Sequence, residues 1–242
     1  MTTGPEIQAM IDRDFPPDSH PYRILERAIL NHLDPGCTVL DIGCGRRAPN
    51  LRQLKGRART LIGIDLVDFE LEDAELLLVN ADVCDMAAVP SGSVDLSYSR
   101  SVMEHIKNVR AAYLEINRVL KPGGKYIFLT PSAWDYASIF AYLVPNRFHG
   151  KMTRITEGRH ETEVFPTLYR SNTFRKISKL AAASNFAMER FEYLGQYPCY
   201  FAFSKPLFYI GVSYEKLLER HRRLHFLRGW ILCILAKRLY PD

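Results

Sequence analysis

The chain has no closely spaced pair of cysteines. Its five, Cys37, Cys44, Cys84, Cys199 and Cys233, are odd in number and far apart, which excludes a dense disulfide framework and a CxxC-type zinc site. Free thiols and no resident metal are expected. No stretch approaches the roughly 18 consecutive apolar residues of a membrane-spanning helix. The opening "MTTGPEIQAMIDRDF" carries acids and lacks an apolar centre, so it does not read as a secretory leader, and a cytoplasmic location is expected. Outside the C-terminal tail, charge of one sign is not concentrated either. A net +5 over 242 residues permits an anionic partner without calling for nucleic acid. What remains, 47% apolar and 24% charged, is an ordinary globular composition, long enough to bury one sizeable core.

From Cys37 to Ser132 short apolar runs alternate with amphipathic stretches. "CTVLDI", "TLIGID", "LLLVNAD", "SVDLSYS" and "GKYIFLTP" are five predicted strands, the first three continuous enough for parallel strands covered on both faces. Before the fifth, Ile106, Val109, Tyr113, Ile116 and Leu120 recur at helical spacing until Pro122 and Gly123 stop the pattern. Repeated strand–helix–strand units predict an α/β fold, a doubly wound, mostly parallel sheet with helices on both faces. Residues 1–36 form a helical lead-in, and 37–205 the main domain. Within it, the aromatic-rich stretch of about 133–169 is too long for an ordinary turn and reads as a lid. "SNTFRKISKLAAASNF" predicts a helix capped by Asn172 or Thr173, and "AMERFEYLG" with "PCYFAFS" an antiparallel strand pair. Residues 206–242 read as a helical tail.

The loop "DIGCGRRAP" has two glycines, Gly43 and Gly45, and lacks the third of a dinucleotide fingerprint, with Arg47 in its place. Bare backbone there lets a ligand approach closely. The next strand ends in Asp65, placed to accept ribose hydroxyls, and the third in Asp82, near where a base over the sheet edge would lie. A dinucleotide and an adenosyl cofactor both fit this much. The paucity of glycine disfavours a pyrophosphate. Asp41, at the loop entrance, would repel one and suit an ammonium. Arg46 and Arg47 read either as solvated charges or as contacts to a carboxylate.

Taken in order, "VLDIGCG", "GIDL", "NADV", "SVDLSYSRSVMEHI" and "EINRVLKPGGKYIFLTPS" resemble the successive motifs of class I S-adenosylmethionine-dependent methyltransferases, closest to the group acting on small molecules. The resemblance covers residues 37–132 and implies a Rossmann-like fold. It also implies that Asp41, Gly43 and Gly45 hold the methionine end of S-adenosylmethionine, and that Asp65 grips the ribose. Leu66 would lie against the adenine, Asp82 and Val83 would meet its edge, and Ser99 and Arg100 would stand near the sulfonium. Glu104 and His105 open the following helix in that group, which gives them a structural role.

The expected reaction is methyl transfer to a small-molecule acceptor, a hydroxyl on a lipid-like, aromatic or sugar-containing metabolite. Carbon or nitrogen methylation, and an inactive cofactor-binding subunit, are the alternatives. A hydroxyl needs a base. His160, between Arg159 and Glu161, and His149 are the candidates in the lid. In the tail, Arg220, Arg222, Arg223, Arg228, Lys237 and Arg238 accompany Trp230, Ile231, Leu232, Ile234 and Leu235. A helix of that make-up packs on its own domain, on a second copy as a homodimer, or on an anionic membrane surface.

Overall fold

The computed structural model describes residues 4–143 and 165–239. Two helices lead in, α1 (Pro5–Asp14) and α2 (Pro21–Leu30), each with proline in its first turn, where the missing N–H costs no hydrogen bond. Then come β1 (Thr38–Ile42), the short α3 (Pro49–Arg52), β2 (Thr60–Asp65), β3 (Leu76–Asn80) and β4 (Val94–Arg100). Helix α4 (Val109–Val119) starts on an Asn108 side-chain cap and runs into β5 (Leu120–Pro131). Next are α5 (Tyr136–Leu143), α6 (Phe174–Ala183, capped by Thr173), β6 (Phe186–Leu194), α7 (Lys205–Arg220) and β7 (Trp230–Lys237).

The seven strands lie in the order β3-β2-β1-β4-β5-β7-β6. Pairing is parallel from β3 through β5 and antiparallel from β5 to β7 to β6. Side-chain alternation divides the core into two layers. Leu40, Ile42, Tyr113, Ile116, Phe128 and Ile177 fill the α4/α6 face. Leu25, Ile29, Val39, Leu51, Leu96 and Tyr98 fill the α2/α3 face. The expected doubly wound sheet is therefore present, with its antiparallel strands at the C-terminal side.

Two expectations for the C-terminal part are corrected. "PCYFAFS" is not a strand. Cys199–Phe201 is a 3-10 turn, against which Gly211 of α7 packs so closely that an added Cβ would lie 2.7 Å from the Pro198 Cβ. The strand that pairs with β6 is instead "WILCILAK", which the tail reading made a helix. Ile231, Cys233 and Leu235 enter one core layer and Leu232 and Ile234 the other. A helix would leave part of this run in water. Between β5 and β6 these side chains are all buried, and full burial of an Ile or Leu is worth about 1.5–3 kcal/mol. The apolar residues offered to a membrane or a second copy are thus inside the sheet.

Candidate active site

The strand order reverses between β1 and β4, and in such sheets a crevice opens beyond the carboxyl ends of the strands. Asp41, Asp65, Asn80 and Arg100 stand at or beside those ends of β1, β2, β3 and β4. The chain leaves β1 through Gly43 (φ 74°) and Gly45 (φ 75°), backbone conformations that favour glycine. The amides of Gly43 and Cys44 donate to the Ile64 carbonyl at 2.9 and 3.1 Å, tying the loop to β2. A Cβ on Gly43 would fall 2.3 Å from Val102 Cγ2, so the segment after β4 rests directly on this glycine. At Gly45 a Cβ would meet nothing within 4 Å, and its backbone faces open space.

Asp65 knits two loops together. Its Oδ2 accepts from the Gly45 amide at 2.7 Å, and its Oδ1 accepts from the amides of Leu66 and Val67 at 2.8 and 3.2 Å. A carboxylate has about four lone-pair positions, so acceptor capacity is left over. Leu66 is 56% exposed beside it. Asn80, which sequence reasoning passed over, donates from Nδ2 to the carbonyls of Leu66 and Val67, both at 3.3 Å. Asp82 lies two residues past the end of β3, is exposed, and accepts from the Cys84 amide at 2.8 Å; the Val83 side chain is buried. Arg46 and Arg47 both reach the loop after β2. Arg47 Nε donates to Glu70 Oε2 at 3.2 Å, and Arg46 donates to the Asp68 carbonyl at 3.3 Å. They clasp that loop, a role sequence spacing did not reveal.

Asp41 is 2% exposed, and its Oδ2 has no hydrogen-bond partner among the described residues. Burial pushes its carboxyl up to about 7, against the opposing pull of Tyr98 and Arg100. The structure does not bring Ser99 and Arg100 together, because consecutive strand residues point to opposite faces. Ser99 is buried with its hydroxyl 2.7 Å from the Tyr126 hydroxyl. Arg100 turns toward α2, its guanidinium carbon 4.5 Å from the Tyr22 ring centroid. Tyr22, Tyr98 and Arg100 also line a cavity of about 180 Å³ between α2 and α3.

Residues 102–107 do not open a helix; they are turns, and α4 begins only at Val109. Glu104 is 3% exposed there, and burial pushes its carboxyl up to about 7. Thr130 Oγ1 donates to Glu104 Oε2 at 2.9 Å, and Asn172 Nδ2 donates to Thr130 Oγ1 at 2.7 Å. The Glu104 carbonyl accepts from the amides of Leu168 and Tyr169 at 2.7 and 3.2 Å. His105 Nδ1 is 3.2 Å from the Pro166 carbonyl. A carbonyl only accepts, so Nδ1 is the donor there, and Nε2 lies 3.9 Å from Glu104 Oε1. Glu104 thus sits in a buried polar network at the β4/β5 edge, with the part-exposed His105 beside it, rather than in a helix turn. His149 and His160 lie outside the described residues. Among the described residues no group of three or more His, Cys, Asp or Glu is arranged to hold a metal ion.

Residues 40–128 match the family model described as a methyltransferase domain. The chain is 32% identical over 114 residues to a sterol 24-C-methyltransferase from Aspergillus fumigatus, covering 41% of this chain and 30% of that protein. It is 32% identical over 103 residues to phosphoethanolamine N-methyltransferase 3 from Arabidopsis thaliana, covering 39% and 21%. The chain therefore spans well under half the length of these curated relatives. Its fold is similar to that of an S-adenosylmethionine-dependent methyltransferase from Mesorhizobium loti, with a TM-score of 0.59 and 19% identity over 91% of this chain and 99% of that one.

Proposed function

From the premise that this chain carries a class I S-adenosylmethionine-dependent methyltransferase domain, we propose that it transfers a methyl group from S-adenosylmethionine to a small-molecule acceptor. The observation that carries the reading is Asp41, a buried carboxyl group with one oxygen unpartnered, at the head of the loop in which Gly45 leaves open space. That pairing suits a ligand bearing an ammonium and opposes one bearing a pyrophosphate. When bound, the cofactor supplies a methyl group on a positively charged sulfur, already electrophilic.

The rest is the work of this chain. Asp41 receives the ammonium, and Gly45 leaves it room. Asp65 accepts the ribose hydroxyls with its remaining lone pairs, while Asn80 holds the backbone on which Leu66 is presented to the base. Asp82 and Val83 bound the far end. Methyl transfer then depends on aligning the acceptor and keeping water out, and such positioning is worth about 7–11 kcal/mol of barrier.

A hydroxyl acceptor must also lose a proton. His160 and His149 are the sequence candidates. His105, with its tautomer set by Pro166 and Glu104 alongside, is a third and stands at the β4/β5 edge. The matched relatives favour a second reading for the acceptor atom, since their names specify carbon and nitrogen. Mass spectrometry of the methylated product separates these readings. A partner subunit without catalysis would bind cofactor and turn nothing over when isolated.

The cofactor assignment is tested by calorimetric titration of S-adenosylhomocysteine into wild type and Asp65→Ala. The variant should bind at least tenfold more weakly, a loss of about 1.4 kcal/mol or more. Equal affinity would overturn the assignment.

A further inference from the structure

Helix α7 is apolar on two faces and uses only one of them. Phe208, Val212 and Leu218 turn inward and are buried. Phe203, just ahead of the helix, with Leu207, Ile210 and Leu217 repeats at spacings that keep side chains on one stripe, and these are 69%, 40%, 65% and 48% exposed. Phe203, Leu207 and Ile210 follow at successive turns and Leu217 lies two turns on, past the part-exposed Tyr214, and large apolar side chains grouped in water in this way mark a contact surface. At its C-terminal end stand Arg220, Arg222 and Arg223, all exposed and without an ion-pair or hydrogen-bond partner among the described residues. The other cations of this helix are already matched, Lys205 by Glu6 and Lys216 by Asp14.

We infer that this face of α7 docks on an anionic lipid surface. Acyl chains accept apolar side chains of unequal size, and anionic headgroups neutralise guanidinium groups without a fixed geometry. A second copy of the chain fits less well. Glu6 and Asp14, the acids paired with α7, are engaged, and Glu219 is the one exposed acid of the helix against three unmatched arginines. Its arginines belong to the basic tail the sequence pointed to, but its apolar part is different, because Trp230–Lys237 is a core strand. It adjoins the active-site side of the sheet through Tyr214 of α7, which meets Tyr136 at the start of α5 at 6.1 Å between ring centroids. The inference does not rest on the methyltransferase reading.

The test is co-sedimentation of the full chain with vesicles of phosphatidylcholine, alone or mixed with phosphatidylglycerol, for wild type, Ile210→Asp and the double variant Arg222→Glu/Arg223→Glu. Wild type should pellet with the anionic vesicles and stay in solution with the neutral ones. Each variant should bind about tenfold more weakly or worse, with unchanged melting temperature. Failure of wild type to pellet with anionic vesicles would overturn the inference. So would binding by Ile210→Asp equal to wild type, or a wild-type dimer in light scattering that Ile210→Asp dissociates.

Discussion

Gly43 holds a φ of 74°, and its missing side chain leaves room for Val102. Both constraints oppose any other residue. Gly43→Ala should lose about 1–3 kcal/mol of stability from the clash alone, read by urea denaturation, and should lose cofactor affinity with it. A substitution cost below the error of that experiment would show that Val102 moves aside freely. Glu104 makes a pH-dependent prediction. Burial raises its carboxyl to about 7 in the fold from the ordinary value of 4.5, so the folded state binds a proton that the unfolded chain has released between those values. Its contribution to stability is greatest below about 4.5 and falls until about 7. Glu104→Gln keeps an acceptor for Thr130 and removes the charge. The variant should therefore gain on wild type as pH rises from 5 to 8, by on the order of 2 kcal/mol. Equal stability differences at the two pH values would contradict the buried-charge account. Asp41, Gly43, Gly45 and Asp65 were legible in the sequence because a strand-end acid and a left-handed turn leave local marks. The Asn172–Thr130–Glu104 chain was not, since it is assembled across three distant segments and no spacing encodes it.

At the scale of elements the parallel strands were legible from their apolar runs, α4 from its periodicity and α6 from its Thr173 cap, whereas the Asn108 cap that starts α4 at Val109 was not. Thr173→Ala should cost about 1 kcal/mol through the lost cap, visible as a lowered unfolding midpoint; no change would mean that the Thr173–Lys176 bond at 3.3 Å contributes nothing. β7 was misread because a short apolar run with no period fits a buried helix and a buried strand alike. Its partners decided the matter, and they lie outside the run. The strand joins β5 and β6, so a chain ending at Arg228 should lack cooperative thermal unfolding by circular dichroism. A dispensable tail would leave the melting curve intact.

At the scale of the whole molecule, two core layers hold a seven-stranded sheet whose central reversal fixes the crevice, while α1 and α7 pack on each other through Ile7, Met10, Phe208 and Val212. The α2/α3 cavity takes Arg100 from the carboxyl end of β4, so the position of the cofactor is the most informative fact about this protein. A crystal structure with S-adenosylhomocysteine measures it directly. The account predicts the amino group against Asp41 and the ribose hydroxyls on Asp65. Density confined to the cavity lined by Tyr22, Tyr98 and Arg100, with Asp65 holding only its backbone amides, would contradict it.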